Sequence, residues 1–254
     1  MRILLTNDDG YHAPGLAALE RIAATLSDDV WIVAPAEDQS GTSRSLTLTR
    51  PMRLRQFGER RFAVTGTPTD SVLMALGEVM ADHKPDLILS GVNRGANLGE
   101  DVLYSGTVAA AMEGALAGIR SIALSQRYPT QGVADQVSFA TAEAWGERVL
   151  RPLLERDFAP RTLVNINFPP VGPEAVKGIR VARQGLRDYG RARFEKRADP
   201  RGYDYYWLAL GRLPHQPGAD SDLEAIAADH IAVTPLQLDL THEPSFVMLN
   251  EAYR

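Results

Sequence analysis

Three stretches near the start of the chain limit its fold more than anything else in the sequence. Ile3 to Leu5 is a short apolar run. Residues 14–26 place Leu16, Leu19, Ile22, Ala23 and Leu26 on one helical face, and Val30 to Ala34 is a second apolar run. Strand, helix and strand at this spacing form a βαβ unit, whose two strands run parallel. Pro14 suits the first turn of the helix. Strands that are apolar without alternation are buried on both faces, so helices must cover both sides of the sheet. The pattern continues to about residue 170. Leu46 to Arg55 and Arg61 to Val64 read as short strands around Phe57-Gly58-Glu59. Thr67 caps a helix with Pro68 at its first position and Asp70 three after the cap. Leu87 to Leu89 is a strand that opens into a Gly/Asn-rich loop, 90–105. Thr107 to Ile119 is a helix, Ile122 to Leu124 a strand, residues 135–151 a helix and Leu163 to Phe168 a strand. The expected architecture is three-layer α/β with a mostly parallel sheet.

The composition fits one such unit. The chain has 254 residues, 44% apolar and 23% charged, with a formal net charge of −5. That balance excludes the basic face of a general nucleic-acid binder but not a nucleotide as small substrate. There is no cysteine, which excludes disulfides, thiolate metal sites and a thiol nucleophile. The apolar run after Arg2 is too short for a signal peptide, and no segment approaches a membrane span. The expectation is a cytoplasmic protein with no membrane partner.

After about residue 170 the pattern changes. Residues 183–206 are rich in Arg, Asp and Tyr, and Tyr203, Tyr205 and Trp207 alternate as on a two-sided strand. This reads as an extended arm or hairpin. Ser221 to Ala228 is a short helix and His230 to Thr234 a strand. The expected division is one domain over 1–254, with a core of about 1–182 and 221–254 and a protruding arm of about 183–220.

The first strand ends in Asn7-Asp8-Asp9-Gly10. Two adjacent carboxylates at the end of a buried strand repel each other and lose hydration, and a bound cation compensates for both. An ordinary turn is the other reading of the same four residues. The loop after Leu89 places Asn93 and Asn97 at the same sheet edge, where ligands of open α/β sheets sit. Ser105-Gly106-Thr107 then opens a helix, which is either a seat for phosphate or a serine-capped structural helix. A third loop, 35–45, carries Glu37, Asp38, Ser40, Ser43 and Arg44. Glu37 and Asp38 read better as a solvated face than as ligands, whereas Arg44 could hold a phosphate. His12 lies near the paired carboxylates, though an exposed histidine at a helix entry is the plainer reading. No Gly-x-Ser-x-Gly elbow and no Gly-x-x-x-x-Gly-Lys-Ser/Thr loop is present, against a serine hydrolase and a P-loop NTPase. Gly91, Gly95 and Gly99 lack dinucleotide-fold spacing.

Four segments in order carry a resemblance. Leu5-Thr6-Asn7-Asp8-Asp9-Gly10-Tyr11, Gln39-Ser40-Gly41, Gly66-Thr67-Pro68-Thr69-Asp70, and Ser90-Gly91-Val92-Asn93 through Tyr104-Ser105-Gly106-Thr107-Val108 together resemble the SurE survival-protein family. They span roughly the first 125 residues. The resemblance implies a Rossmann-like core with an extended C-terminal β-hairpin arm, and a homodimer or homotetramer held partly by that arm. It implies a metal-dependent phosphomonoesterase acting on nucleoside 5′-monophosphates, with 3′-monophosphates as a further substrate class, and with one divalent ion per chain. Asp8, Asp9, Ser40 and Asn93 would hold the metal, and Asn97, Ser105, Gly106 and Thr107 would bind the phosphate. The residue chemistry agrees, because an all-oxygen set favours Mg²⁺ or Mn²⁺. The expected reaction is attack on phosphorus by a metal-activated water, with Asp8 and Asp9 as catalytic residues and Asp9 the preferred proton acceptor. An exopolyphosphatase and a non-catalytic, metal-dependent nucleotide sensor are the alternatives. Polymeric nucleic acid is not an expected partner.

Overall fold

Each apolar run becomes a strand of one sheet. The computed structural model describes residues 1–129, 138–186, 193–209 and 220–254. Its elements are β1 (Arg2–Thr6), α1 (Pro14–Ala24), β2 (Asp29–Pro35), β3 (Leu54–Gly58), β4 (Arg61–Val64), α2 (Pro68–Met74), β5 (Leu87–Arg94), α3 (Gly106–Leu116), β6 (Arg120–Gln126), α4 (Ala140–Leu154) and β7 (Thr162–Phe168). They are followed by β8 (Ile179–Val181), β9 (Arg193–Ala198), β10 (Asp204–Ala209), α5 (Asp222–Ala227), β11 (Ile231–Gln237) and α6 (Glu243–Ala252). Among the described residues nine strands pair in the order β3-β4-β2-β1-β5-β6-β7-β11-β8. The run from β4 to β7 is parallel throughout. Antiparallel pairing enters only where β3 meets β4 and β11 meets β7 within this sheet. The strands β9 and β10 form a separate antiparallel hairpin, as expected for the arm.

The sheet is covered on both faces. Ile3 and Leu5 face α1 and α4, with Leu16, Leu19, Ile22, Val149 and Leu150 against them. Leu4 points the other way, into a cluster with Val72 of α2, Ala75 just after it and Ala110 of α3. All three β1 side chains are fully buried, which is why this strand shows no polar alternation. After β2 the chain grows to one side of β1, and after β5 to the other. The strand order therefore reverses between β1 and β5, and the crevice beyond their carboxyl ends is where such folds bind ligands. Among the described residues no helix is long and apolar enough to cross a membrane.

Several boundaries differ from the sequence reading. Residues 46–53 are not a strand. The Thr47 N–H donates to Asp70 Oδ1 (3.1 Å) and the Arg53 N–H to Thr65 Oγ1 (2.8 Å), so side chains replace a ladder there, and Pro51 has no N–H to give. The third helix ends at Leu116, because Gly118 takes a positive φ of 77° and turns the chain. The following helix covers Ala140–Leu154 rather than 135–151, with Pro152 in its last turn; residues 130–137 lie outside the described residues. The strand after Leu87 runs on to Arg94 with a register shift against β6 between Ser90 and Asn93. Such an irregularity bends a strand and re-aims the side chains after it. The capping box at Thr67 and Asp70 is present as expected. Of the arm aromatics, Tyr189 lies outside the described residues.

Candidate active site

Three loops meet at the β1/β5 crevice, and backbone hydrogen bonds fix how they meet. The Gln39 N–H donates to the Asp8 carbonyl (2.8 Å), and the Tyr11 N–H to the Pro35 carbonyl (2.7 Å). The loop carrying Ser40 is thereby bound to the loop carrying Asp8 and Asp9. Gly10 has a positive φ of 99°, and a Cβ there would lie 3.0 Å from the Glu37 backbone, so only glycine lets these two loops pack. On the other side, the Arg94 N–H donates to Asp9 Oδ2 (3.0 Å). The residue before it is Asn93, whose Nδ2 donates to the Gly95 carbonyl (2.9 Å). That bond fixes the amide and directs its oxygen away from Gly95.

The helix α3 closes the site from below. The Thr107 hydroxyl donates to Asp8 Oδ1 (2.6 Å), and Ser105 Oγ accepts from the Val108 N–H (3.1 Å) as a side-chain cap. Gly106 lies directly against Asp8. A Cβ at 106 would fall 2.8 Å from Asp8 Cβ and 3.0 Å from Asp8 Oδ2. The glycine thus admits the carboxylate to the positive end of the helix, where the partial charges of its first N–H groups favour an anion. The sequence reading gave Gly106 to phosphate; the observed close neighbour is Asp8.

Burial dominates the electrostatics. Asp8 is 4% exposed, and its pKa is pushed from 3.8 up to about 6, first by loss of hydration and then by the Asp9 charge, against the Thr107 hydroxyl. Asp9 is also raised, by burial and then the charge of Asp38, opposed by the Arg94 N–H and guanidinium. Asn7 adds a buried amide oxygen with no donor, while its Nδ2 donates to the Gly10 carbonyl (2.9 Å). Two carboxylates and an unpaired acceptor oxygen make a site of uncompensated negative potential, which is what a hard cation offsets. No group of three or more His, Cys, Asp and Glu gathers among the described residues. Neutral oxygens such as those of Ser40 and Asn93 must therefore complete any metal shell, which suits Mg²⁺ or Mn²⁺ better than structural Zn²⁺.

The remaining expected residues are placed as follows. Ser40 is exposed on its loop, and its N–H donates to Asp38 Oδ1 (2.8 Å). Arg44 pairs with Glu113 at 3.2 Å rather than facing the paired carboxylates. The His12 ring meets the rings of Tyr11 and Phe57 edge-on. Asn97 is buried, with Nδ2 donating to Ser125 Oγ (2.8 Å). Its backbone is held by Asn165 and Asn167 of β7, two residues the sequence reading passed over. Their signal was available: asparagine at alternate positions within a strand otherwise apolar to its end.

Two consequences follow from the contacts of Asp8. Gly106→Ala should displace the Asp8 carboxylate, cutting turnover by about tenfold or more with little change in far-UV circular dichroism; kinetics of the purified variant check this. The second concerns pH. A carboxyl raised in the folded state binds its proton more tightly there than in the unfolded chain, so metal-free stability falls as pH rises from 3.8 to about 6 and is level above. Asp8→Asn should remove that fall and stabilise the metal-free protein at pH 7.5 by on the order of 1–3 kcal/mol, measured by chemical denaturation with chelator present.

Comparison with known proteins places this geometry in a family. The family model described as survival protein SurE matches residues 3–191. The chain is similar to the 5′-nucleotidase SurE of Rhizorhabdus wittichii, 64% identical over 254 residues and covering all of both chains. It is 56% identical over 253 residues to that of Erythrobacter litoralis, again covering all of both. The crystal structure of SurE protein from Aquifex aeolicus superposes with a TM-score of 0.84 at 37% identity, covering 100% of each chain.

Proposed function

The chain belongs to the survival protein SurE family, and from that premise we propose that it hydrolyses nucleoside 5′-monophosphates to nucleoside and inorganic phosphate. The observation that carries the proposal is the Asp8–Asp9 pair, desolvated at the β1/β5 crevice with Asp8 seated on the first turn of α3. The names of the similar proteins support the substrate class, since these are called 5′-nucleotidases. The nucleoside 3′-monophosphates belong to the proposal as a secondary substrate class.

In this reading Asp8, Asp9, Ser40 and Asn93 hold one divalent ion, Mg²⁺ or Mn²⁺. When bound, such an ion neutralises phosphate oxygens and makes water more acidic. Each residue then has a distinct task. Asp8, anchored by the Thr107 hydroxyl, cannot swing, so it serves as a fixed ligand. Asp9 lies nearer solvent than Asp8 and accepts the proton of the attacking water. The water oxygen bonds to phosphorus as the bond from phosphorus to the ribose oxygen breaks, and the ribose oxygen takes up a proton to leave as the nucleoside, the proton held by Asp9 balancing it. Asn97 and the helix start at Ser105, Gly106 and Thr107 stabilise the charge on the transferring group.

Phosphate release from AMP, 3′-AMP and polyphosphate, with Mg²⁺, Mn²⁺ and EDTA, tests the proposal. Turnover of AMP should require the ion, vanish with EDTA and fall by at least about a hundredfold in Asp9→Asn. Equal turnover in EDTA, after confirmed metal removal, would refute the metal role. Polyphosphate preferred over AMP would point to an exopolyphosphatase, and binding of AMP without turnover to a sensor.

The proposal extends to a cytoplasmic homodimer or homotetramer joined partly by the arm. Among the described residues the strands β9 and β10 pair only with each other, and Phe194, Tyr206, Trp207 and Leu208 are more than half exposed on them. Aromatic and arginine side chains are enriched where protein surfaces meet. Light scattering should give a multiple of the 27.8 kDa chain mass and a smaller assembly when residues 193–209 are replaced by a short turn. A monomeric intact chain would contradict this.

A further inference from the structure

Asn165 and Asn167 point from one face of β7 and are fully buried. A carboxamide in that position is costly unless its hydrogen bonds are made. Asn165 Oδ1 has no partner among the described residues, and the bonds the two side chains do make all go to one residue. Asn167 Oδ1 accepts from the Asn97 N–H (2.8 Å), and Asn167 Nδ2 donates to the Asn97 carbonyl (3.0 Å). Asn165 Nδ2 donates to the same carbonyl (2.8 Å). Both polar groups of the Asn97 backbone are thus held by strand side chains. The Asn97 side chain is held in turn, its Nδ2 donating to Ser125 Oγ on β6 (2.8 Å).

Beyond the Gly95 N–H, which donates to the Gln126 carbonyl of β6 (3.0 Å), the segment held this way joins no strand among the described residues. Residues 95–98 lie between the end of β5 and a helical turn beginning at Gly99. The Gly99 N–H is taken by Asp222 Oδ2 (2.9 Å), a fully buried carboxylate on α5. An apolar floor would bury the same loop but fix neither its height nor its rotation, whereas paired amides do both.

We propose that Asn165 and Asn167 are positioning residues for the phosphatase reaction, holding Asn97 so that its amide meets the phosphate. This rests on the function proposed above. A misplacement of about 1 Å in a group that contacts the transition state costs roughly a hundredfold in rate. The pair acts entirely through Asn97, so its removal should matter only while the Asn97 side chain is there.

That dependence supplies the test. Initial rates on AMP with saturating Mn²⁺ are measured for Asn97→Ala, Asn167→Ala, Asn165→Ala and the doubles with Asn97→Ala, and Mn²⁺-dependent thermal stabilisation is measured for each. Asn167→Ala should lower kcat/KM by about 10–100-fold and Asn165→Ala by less. The Mn²⁺ stabilisation should stay at the wild-type value, because the carboxylate pair is untouched. Each double variant should be no slower than Asn97→Ala alone, the signature of a contribution made through one residue. If Asn167→Ala does not fold, Asn165→Ala removes one donor only and carries the same comparison. Wild-type rates in both single variants, losses that multiply in the doubles, or full activity in Asn97→Ala would overturn the positioning role while leaving the phosphatase reading intact. A wild-type protein inactive on AMP would overturn both.

Discussion

The burial of the Asp8 carboxylate beside Asp9 is the constraint around which the site is arranged. A charge brought to 4% exposure next to a second carboxylate loses most of its hydration. The chain offsets part of that loss with the Thr107 hydroxyl and the N-terminus of α3. It leaves the rest unpaid, and the pKa of about 6 records the remainder. Removing that strain needs either a proton or a cation. The adjacent neutral oxygens, and the lack of a third carboxylate or histidine in the group among the described residues, favour a hard divalent ion over a soft one.

The fold makes this arrangement rigid. Asp8 and Asp9 follow β1, Asn93 is the last residue but one of β5, and these neighbouring strands are paired in register from Ile3–Leu87 to Thr6–Ser90. The contact between Gly106 and Asp8 joins the helix start to the carboxylates without intervening side chain. The asparagines of β7 extend the same logic outward, fixing a loop from beneath with buried amides. Charge sits at the crevice where the strand order reverses, and the loops around it are tied to one another and to the neighbouring strands. The established features are the family and the α/β fold; the ligand and proton roles are the proposal built on them.

Much of this was legible from residues alone, for physical reasons. The parallel core is written in apolar runs without alternation, such as Ile3–Leu5 and Leu87–Leu89. Adjacent carboxylates at a strand end announce an electrostatic cost wherever they occur, so Asp8 and Asp9 stood out. Other features depend on what lies opposite in space. The glycine at 106 signals close approach, but sequence does not say that Asp8 is the approaching group. Asn165 and Asn167 lie inside a strand whose apolar run sets its sequence signature, and their partner Asn97 is far away in sequence. Residues 46–53 have strand-like composition, yet Asp70 and Thr65 side chains take the backbone donors a partner strand would have used. The helix α6 buries none of its residues, so the apolar face by which helices are found was missing.

The most direct measurement of the central claim is anomalous scattering from crystals soaked in Mn²⁺. The account predicts one strong peak per chain, coordinated by carboxylate oxygens of both Asp8 and Asp9, with Ser40 and Asn93 within reach of the same ion. The peak should disappear in Asp8→Asn crystals soaked identically. A crevice without a peak at saturating Mn²⁺, or an ion bound elsewhere while Asp8 and Asp9 stay bare, would contradict it.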